Sequence, residues 1–513
     1  MKDKRILVIG SGFGGLGAAI RLAAKGYEVE IFEKRDKPGG RGYQYEVNGF
    51  KFDGGPTVIT APYMFDELFD GTGKKREDYF ELVPLDPFYR IFDHQGKYFD
   101  YYHQLDDFLK EIERINPRDV NGYRKFDRHT RAIFEKFHPF TDLPFNHLKE
   151  MIKIMPDVMR LQAFTGAYLF AARYIRDPFL RQVFSFHPLL IGGNPFDTPA
   201  IFTLIVQFER EWGVHYASGG TGAVVRGLEK LFYELGGKIH YETEVDQILI
   251  KDKRAIGVSL KDGSQHFSDR VICNGDVAFA YRNLIPESQR KKFTNKFIDR
   301  MRYSMSLFVW YFGTKKRYLD SPLRHHNIIL NKNYRKLLSD IFNRHILGDD
   351  FSLYLHMPSI TDPKIAPEGC ESFYVLSPVP TLDSGTDWEE VEPVYKDHIA
   401  EFLEQNYLPG LRDNLIAEHA ITPLHFQNTL NSYRGAAFSV KPSLMQSAWF
   451  RPHNRSDEFD NLYFVGAGTH PGAGVPAVLS SGKIAAEDIL AIDSNNNGSS
   501  TFVMPTTTTF SKE

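Results

Sequence analysis

The chain has 513 residues, too many for one ordinary hydrophobic core, so two or three domains are expected. Its 42% hydrophobic and 25% charged content is that of a globular protein, and a net charge of −3 offers no basic footprint for nucleic acid. Two cysteines, Cys273 and Cys370, can build neither a disulfide framework nor a cysteine-rich metal site, so a reducing compartment is the default and no metal is expected.

Met1-Lys2-Asp3-Lys4-Arg5 leads into a short apolar strand and a glycine loop, not the extended apolar region of a secretory signal. No stretch reaches about 18 apolar residues without a charge, so no spanning helix is expected. The protein is read as cytoplasmic, soluble or peripherally attached. Residues 5–10, with Ile6-Leu7-Val8-Ile9, read as a buried strand, residues 14–25 as a helix and 28–32 as a second strand, the close spacing of a βαβ unit. From about 106 to 211 the pattern turns helical. There Leu148, Met151, Ile152, Met155, Val158 and Met159 recur at helical spacing opposite Lys149, Glu150, Lys153, Asp157 and Arg160.

After Gly219-Gly220-Thr221-Gly222 a helix is expected to about residue 235, then strands at 238–241, 245–250 and 255–260, the last two turning at Asp252-Lys253-Arg254. Val271-Ile272-Cys273-Asn274 is a further apolar run. Segments 307–312, 353–356 and 373–377 suit a mixed sheet in a second domain. Residues 462–465 read as a strand, 466–474 as a glycine loop and 475–490 as a helix. The Asn/Ser/Thr-rich tail from Ser494 reads as disordered.

Gly10-Ser11-Gly12-Phe13-Gly14-Gly15 supplies the G-x-G-x-x-G pattern with Gly10, Gly12 and Gly15. Gly10 permits the turn, Gly12 lets backbone approach a pyrophosphate, and Gly15 lets helix pack closely on strand. The helix N-terminus offers unpaired N–H groups and a positive dipole end. Glu33 follows 18 positions after Gly15, at the end of the next strand, where a carboxylate accepts bonds from ribose hydroxyls. The bland alternative is a glycine turn with an incidental glutamate. Pro38-Gly39-Gly40-Arg41 and Phe52-Asp53-Gly54-Gly55-Pro56-Thr57 bring further backbone amides and an arginine toward a long cofactor, which favours FAD over NAD. Far away in sequence, Gly466-Ala467-Gly468-Thr469-His470-Pro471-Gly472-Ala473-Gly474-Val475-Pro476 opens another helix. Its N-terminus near Val475 suits negative charge on the pyrimidine end of the isoalloxazine. The contacts expected for FAD are Gly10, Gly12, Gly14, Gly15, Glu33, Lys34, Gly40, Arg41, Pro56, Thr57, Val245, Asn274, Gly466, Gly468, Gly474, Val475 and Pro476.

These runs resemble those of the bacterial phytoene desaturase family. So do Phe184-Ser185-Phe186-His187, Gly192-Gly193-Asn194-Pro195, Glu211-Trp212-Gly213, the stretch 351–356, Pro367-Glu368-Gly369-Cys370 and Gln446-Ser447-Ala448-Trp449-Phe450-Arg451-Pro452-His453-Asn454. In order, they cover residues 5 to 490. The resemblance implies an α/β fold: a Rossmann-like FAD-binding domain of the glutathione-reductase and amine-oxidase kind, a mixed-sheet substrate domain and a helical membrane-associating region. The expected bounds are 1–75, 215–290 and 455–492 for the discontinuous FAD domain, 76–214 for the helical region, 291–454 for the substrate domain and 493–513 for the tail. It also implies removal of hydrogens from phytoene, taken from the bilayer by a protein peripherally associated with the cytoplasmic membrane. A quinone or oxygen would be the electron acceptor.

Phytoene carries no polar group, so its site must be an apolar tunnel; residues 307–312, 353–355 and 373–376 are candidates for one wall. Its allylic C–H bonds are too weakly acidic for a carboxylate base alone, so hydride transfer to flavin is the expected first event, with the protein positioning the reactants. If a protonic residue helps, Asp177 and Arg181 are the pair to test, four apart on one helix face; the bland reading is a surface ion pair. His187 reads as a structural histidine. The alternatives are a related carotenoid desaturase or ketolase acting on a C30 or hydroxylated substrate, an FAD amine oxidase, and a non-catalytic nucleotide-binding protein.

Overall fold

The computed structural model describes residues 4–496. Its first sheet has five strands, all parallel, in the order Leu462–Phe464, Arg270–Cys273, Arg5–Ile9, Glu28–Phe32, Lys238–His240. Strands Arg5–Ile9 and Arg270–Cys273 carry the apolar runs Ile6-Leu7-Val8-Ile9 and Val271-Ile272-Cys273 because both faces of the sheet are covered there. Helix Phe13–Ala23 links the first two strands and packs against helix Val475–Asn496, so the two ends of the chain share one layer. The contact is backbone-close: a Cβ on Gly482 would stand 2.7 Å from the Gly14 carbonyl oxygen.

The hairpin Val245–Lys251/Arg254–Leu260 turns where the sequence indicated, with Asp252 and Lys253 both at positive φ, the geometry that suits the twist of a two-residue turn. The second large sheet is mixed and seven-stranded, ordered Leu415–Ile421, Ser306–Thr314, Glu371–Val379, Leu353–His356, His326–Ile329, Tyr89–Phe92, Tyr98–Tyr101. Its one parallel pairing joins His326–Ile329 to Tyr89–Phe92. The strand Ser306–Thr314 has no sequence alternation because both faces are buried. Phe308, Trp310 and Phe312 pack under helix Trp388–Asn406, whereas Leu307, Val309 and Tyr311 face the opposite core.

The expected helical stretch 76–214 does hold helices, including Leu105–Ile115, Val120–Phe137, Leu148–Arg160 and Leu204–Trp212. It also contributes strands to two sheets: Leu82–Leu85 pairs with Val214–Ala217, and Tyr89–Phe92 and Tyr98–Tyr101 extend the large sheet. Four residues are too few to display a period, and Arg90 inside a buried strand disguises it. Its guanidinium is neutralised there by two bonds to Asp100, at 2.7 and 2.6 Å.

The disordered tail expected from residue 493 begins too early, because the last helix runs on to Asn496. The reason is Asp493, a fully buried carboxylate that takes bonds from the Tyr27 hydroxyl at 2.8 Å, Arg270 Nη2 at 2.9 Å and Lys4 Nζ at 2.7 Å. The rest of that tail lies outside the described residues. Replacing Asp493 by Ala strands the buried Arg270 guanidinium, a loss of about 3–5 kcal/mol for a broken buried pair. The expected outcome is a clearly lower thermal midpoint for Asp493→Ala, with Asp493→Asn intermediate, read by circular dichroism.

Candidate active site

Glycine-rich loops from distant parts of the chain meet along one continuous cavity, which the five-stranded and seven-stranded sheets both line. Ile9, Cys273 and Phe464 sit side by side in the parallel register. The chain therefore leaves the sheet at one edge as Gly10, Asn274 and Val465-Gly466, the strand ends where α/β sheets bind ligands. Helix Phe13–Ala23 starts at Gly12 with no side-chain cap, so its first N–H groups are left for a ligand. A Cβ on Gly15 would lie 2.3 Å from the Gly10 carbonyl oxygen, and one on Gly12 would lie 2.7 Å from Asn274 Nδ2. Close packing requires both glycines.

Gly10, Gly12, Glu33, Lys34, Gly40 and Arg41 line the cavity. So do Pro56, Thr57, Val245, Asn274, Gly466, Gly474, Val475 and Pro476. Gly14, Gly15 and Gly468 instead lie behind the wall, where they make room for packing: Gly14 against Asn274 and Gly466, Gly468 against Val277. Glu33 is buried, with Oε2 accepting from the Ser11 N–H and hydroxyl at 2.8 and 2.7 Å and Oε1 from Arg35 N–H at 3.0 Å. Arg41 ties this loop to the second domain through Ala437 O and Ser432 Oγ, both at 2.7 Å. Lys34 Nζ reaches Asn431 Oδ1 at 2.9 Å; burial lowers its pKa from the ordinary lysine value.

The motif around Trp449 explains how the C-terminal loop is held. Arg451 is buried and donates to four backbone carbonyls, Thr469 O at 2.9 Å, Ala467 O at 2.6 Å, Val440 O at 3.0 Å and Gln446 O at 3.2 Å; burial pulls its pKa down to about 10. Asn454 Nδ2 donates to His470 O at 2.9 Å. These bonds fix the entrance of the loop whose far end, Gly474, opens helix Val475–Asn496 at the cavity.

Away from the glycines the lining turns apolar. Leu307, Val309, Leu353 and Leu376 come from the large sheet, Phe208 and Ile154 from helices. Of the segments expected to form this wall, only some residues reach it. Phe308, Trp310, Phe312, Leu355 and Phe373 point into the core behind, as the two-residue period of a strand dictates.

Asp177 and Arg181 do not line the cavity, and their side chains bond backbone groups rather than each other. Asp177 precedes the short helix Pro178–Val183 and caps it, accepting from Phe179 and Leu180 N–H at 2.9 and 3.0 Å. Arg181 Nε donates to Ile175 O at 2.8 Å. Proline after aspartate starts the helix at Pro178, so Asp177 stands at its cap and the face pair expected within Arg176–Phe184 does not form. His187 is buried, and its Nε2 hydrogen-bonds to Glu209 Oε2 at 3.0 Å. Glu209 itself was missed. It is fully buried yet lines the cavity, and its Oε1 accepts from the Tyr89 hydroxyl at 2.7 Å. The available signal was a carboxylate four residues after Ile205 on the cavity face of a helix. Tyr354, within the segment 353–355 expected to form one wall, does line the cavity, with its hydroxyl 2.6 Å from Thr57 Oγ1. As a helix cap, Asp177 is expected to contribute about 1 kcal/mol. Asp177→Ala should lower the thermal midpoint by a few degrees (roughly 2–4 °C for a large domain) and leave ligand binding in the cavity intact.

The sequence pattern of the flavin containing amine oxidoreductase family matches residues 13–490. A lycopene-forming phytoene desaturase of Pseudescherichia vulneris is 46% identical over 488 residues, spanning 94% of this chain and 98% of that protein. The lycopene-forming enzyme of Pantoea ananas is 47% identical over 485 residues, with the same two coverages. Among solved structures, an oxidoreductase from Methanosarcina mazei superposes with a TM-score of 0.63 over 95% of this chain and 99% of its own, at 16% identity. That likeness carries the fold, and the closer relatives carry the lineage: the chain belongs to the flavin containing amine oxidoreductase family and, within it, to the bacterial phytoene desaturases.

Proposed function

We propose that the protein is an FAD-dependent desaturase that introduces double bonds into 15-cis-phytoene, toward lycopene or neurosporene. One observation carries the reading beside the kinship: the glycine loops and an apolar set of side chains line one and the same cavity. Such a chamber suits a hydrocarbon, which offers no group for hydrogen-bond readout. When bound, FAD supplies a two-electron sink that takes a hydride from an allylic carbon.

The chain's own residues do the holding. Glu33 is placed to take ribose hydroxyls, and the uncapped start of helix Phe13–Ala23 to take the pyrophosphate. Gly474, Val475 and Pro476 present a second helix start to the far end of the cofactor. Leu307, Val309, Leu353 and Leu376 form a water-excluding face along which the polyene lies. An external acceptor, a quinone or oxygen, completes the cycle.

The substrate's insolubility calls for delivery from a membrane, and one surface suits that role. Helix Leu148–Arg160 turns Met151, Ile154 and Val158 inward but leaves Leu148, Ile152, Met155 and Met159 exposed at 47%, 63%, 37% and 57%. These four recur along one stripe, flanked by exposed Lys149 and Lys153, and Phe164 and Leu169 in the residues that follow are exposed at 42% and 58%. A stripe of this kind beside lysines fits a helix lying in the headgroup layer. Ile154, on its inner face, lines the cavity, so the chamber begins one helix thickness beneath the stripe. No helix among the described residues is long and apolar enough to cross a membrane.

Co-expression with a phytoene-producing pathway, followed by chromatography of the pigments, tests the reading: lycopene or neurosporene is expected, and unconsumed phytoene beside soluble flavinated protein would end it. Gly12→Val and Glu33→Ala should weaken FAD retention by roughly tenfold or more, measured as flavin absorbance per protein after gel filtration. Replacing Ile152 and Met159 by Glu should reduce sedimentation with liposomes while leaving FAD content as in the parent.

A further inference from the structure

The large sheet places three histidines together. Antiparallel pairing sets His326, the first residue of His326–Ile329, directly opposite His356, the last of Leu353–His356. His325 precedes them on the same edge. All three are buried, and one nitrogen from each lies within 4.8 Å of the others. His325 and His356 are hydrogen-bonded Nε2 to Nε2 at 3.0 Å, and His325 Nδ1 bonds Thr361 Oγ1 at 2.7 Å. Thr361 is half-exposed. On the other side, His326 Nδ1 bonds the Tyr354 hydroxyl at 2.7 Å, and that hydroxyl meets Thr57 Oγ1 at 2.6 Å. Thr57 and Tyr354 both line the cavity, Thr57 within the loop expected to touch the cofactor. A polar chain thus runs from the chamber wall to the surface, with one gap. Among the described residues His326 Nε2 is buried without a partner, and the His326 and His356 ring centroids are 5.0 Å apart, a separation across which a single water can bridge ring nitrogens.

We propose that this chain is the exit for the proton released in each desaturation: Thr57, Tyr354 and His326 pass it to the His356–His325 pair and out at Thr361. The inference rests on the desaturase reading above. Making one C=C bond from CH–CH removes two electrons with one hydrogen as hydride, which FAD takes. The second hydrogen leaves the neighbouring carbon as a proton, and the electrons of that C–H bond become the π bond. Thr57 Oγ accepts the proton and gives its own to the Tyr354 oxygen; the Tyr354 proton moves to His326 Nδ1. His326 then releases its Nε2 proton toward His356. The direction requires His326 to rest as the Nε2–H tautomer, which leaves Nδ1 to accept from Tyr354.

The surroundings suit a relay rather than a sink. Burial lowers His325 to about 3 and holds His326 and His356 well below the ordinary histidine value, so each ring is neutral at rest and gives up a proton readily. The carboxyl group of Glu209 bonds the hydroxyl of Tyr89, whose ring lies 5.9 Å from that of His326, so a polar side chain stands beside the path. A divalent cation on the three imidazoles would have no carboxylate among its ligands, and it would disfavour positive charge developing on the substrate.

The test uses the full-length FAD-loaded protein with phytoene in liposomes, comparing Tyr354→Phe and His326→Gln with the parent. Turnover is expected to fall roughly 10- to 100-fold, with KM and FAD content unchanged and a larger solvent deuterium isotope effect. Added imidazole should restore part of the turnover of His326→Ala. Variants as fast as an active parent would overturn the relay, as would a stoichiometric transition metal in the purified parent that is lost from His356→Gln. A parent that leaves phytoene untouched would instead sink the desaturase reading. Nitrogen-15 NMR of labelled histidines decides the relay independently of turnover: the Nε2–H tautomer at His326, losing its Nδ1 bond in Tyr354→Phe, supports it, and the Nδ1–H tautomer overturns it.

Discussion

The parallel register of Arg5–Ile9, Arg270–Cys273 and Leu462–Phe464 is the constraint from which the site follows. Hydrogen bonding between these strands fixes Ile9, Cys273 and Phe464 at one level, so the residues after them emerge together. Gly10, Asn274 and Gly466 are therefore neighbours although hundreds of positions separate them along the chain. The absence of a Cβ at Gly12 and Gly15 lets loop, helix and Asn274 close to contact distance. Arg41 and Arg451 then bolt the adjacent loops in place by donating to backbone carbonyls. The cradle is thus built mostly of main chain, and side chains serve to hold it.

How much of this could be read beforehand depends on how locally each feature is determined. The βαβ unit was legible, because a tight turn and a close approach of helix to strand each demand glycine within a short window. The hairpin at Asp252 and Lys253 and the strand Leu353–His356 were legible for the same reason. Tyr89–Phe92 was not: its partner is the distant His326–Ile329, and its arginine is acceptable in a core only because Asp100 waits on the next strand. Helix Leu148–Arg160 was found, but its apolar residues divide between two faces, Val158 inward and Met159 outward, a split that depends on what packs beneath. Asp177 misled because a residue spacing cannot tell a cap from a face pair.

The site's polar groups were the least visible part. Glu209 sits in a helix otherwise amphipathic, and only the fold supplies the Tyr89 hydroxyl and His187 that make a buried carboxylate tolerable there. His325 and His356 lie 31 positions apart and meet through sheet pairing. Apolar tunnels leave weak marks in sequence for a related reason. A strand covered on both sides, such as Ser306–Thr314, is uniformly hydrophobic, so nothing in it separates cavity lining from ordinary core.

The shared layer made by the two chain ends also bears on biosynthesis. Strand Leu462–Phe464 and helix Val475–Asn496 complete a sheet begun at Arg5–Ile9, and Asp493 locks that helix to Lys4 and Arg270. A ribosome extends the chain from the other end, so the edge strand and one of the two helix starts at the cavity arrive last. Until residues 462–496 have been made, the nascent polypeptide lacks both that strand and that helix start. A product terminated before residue 462 would leave Arg270–Cys273 as an open sheet edge, inviting quality control.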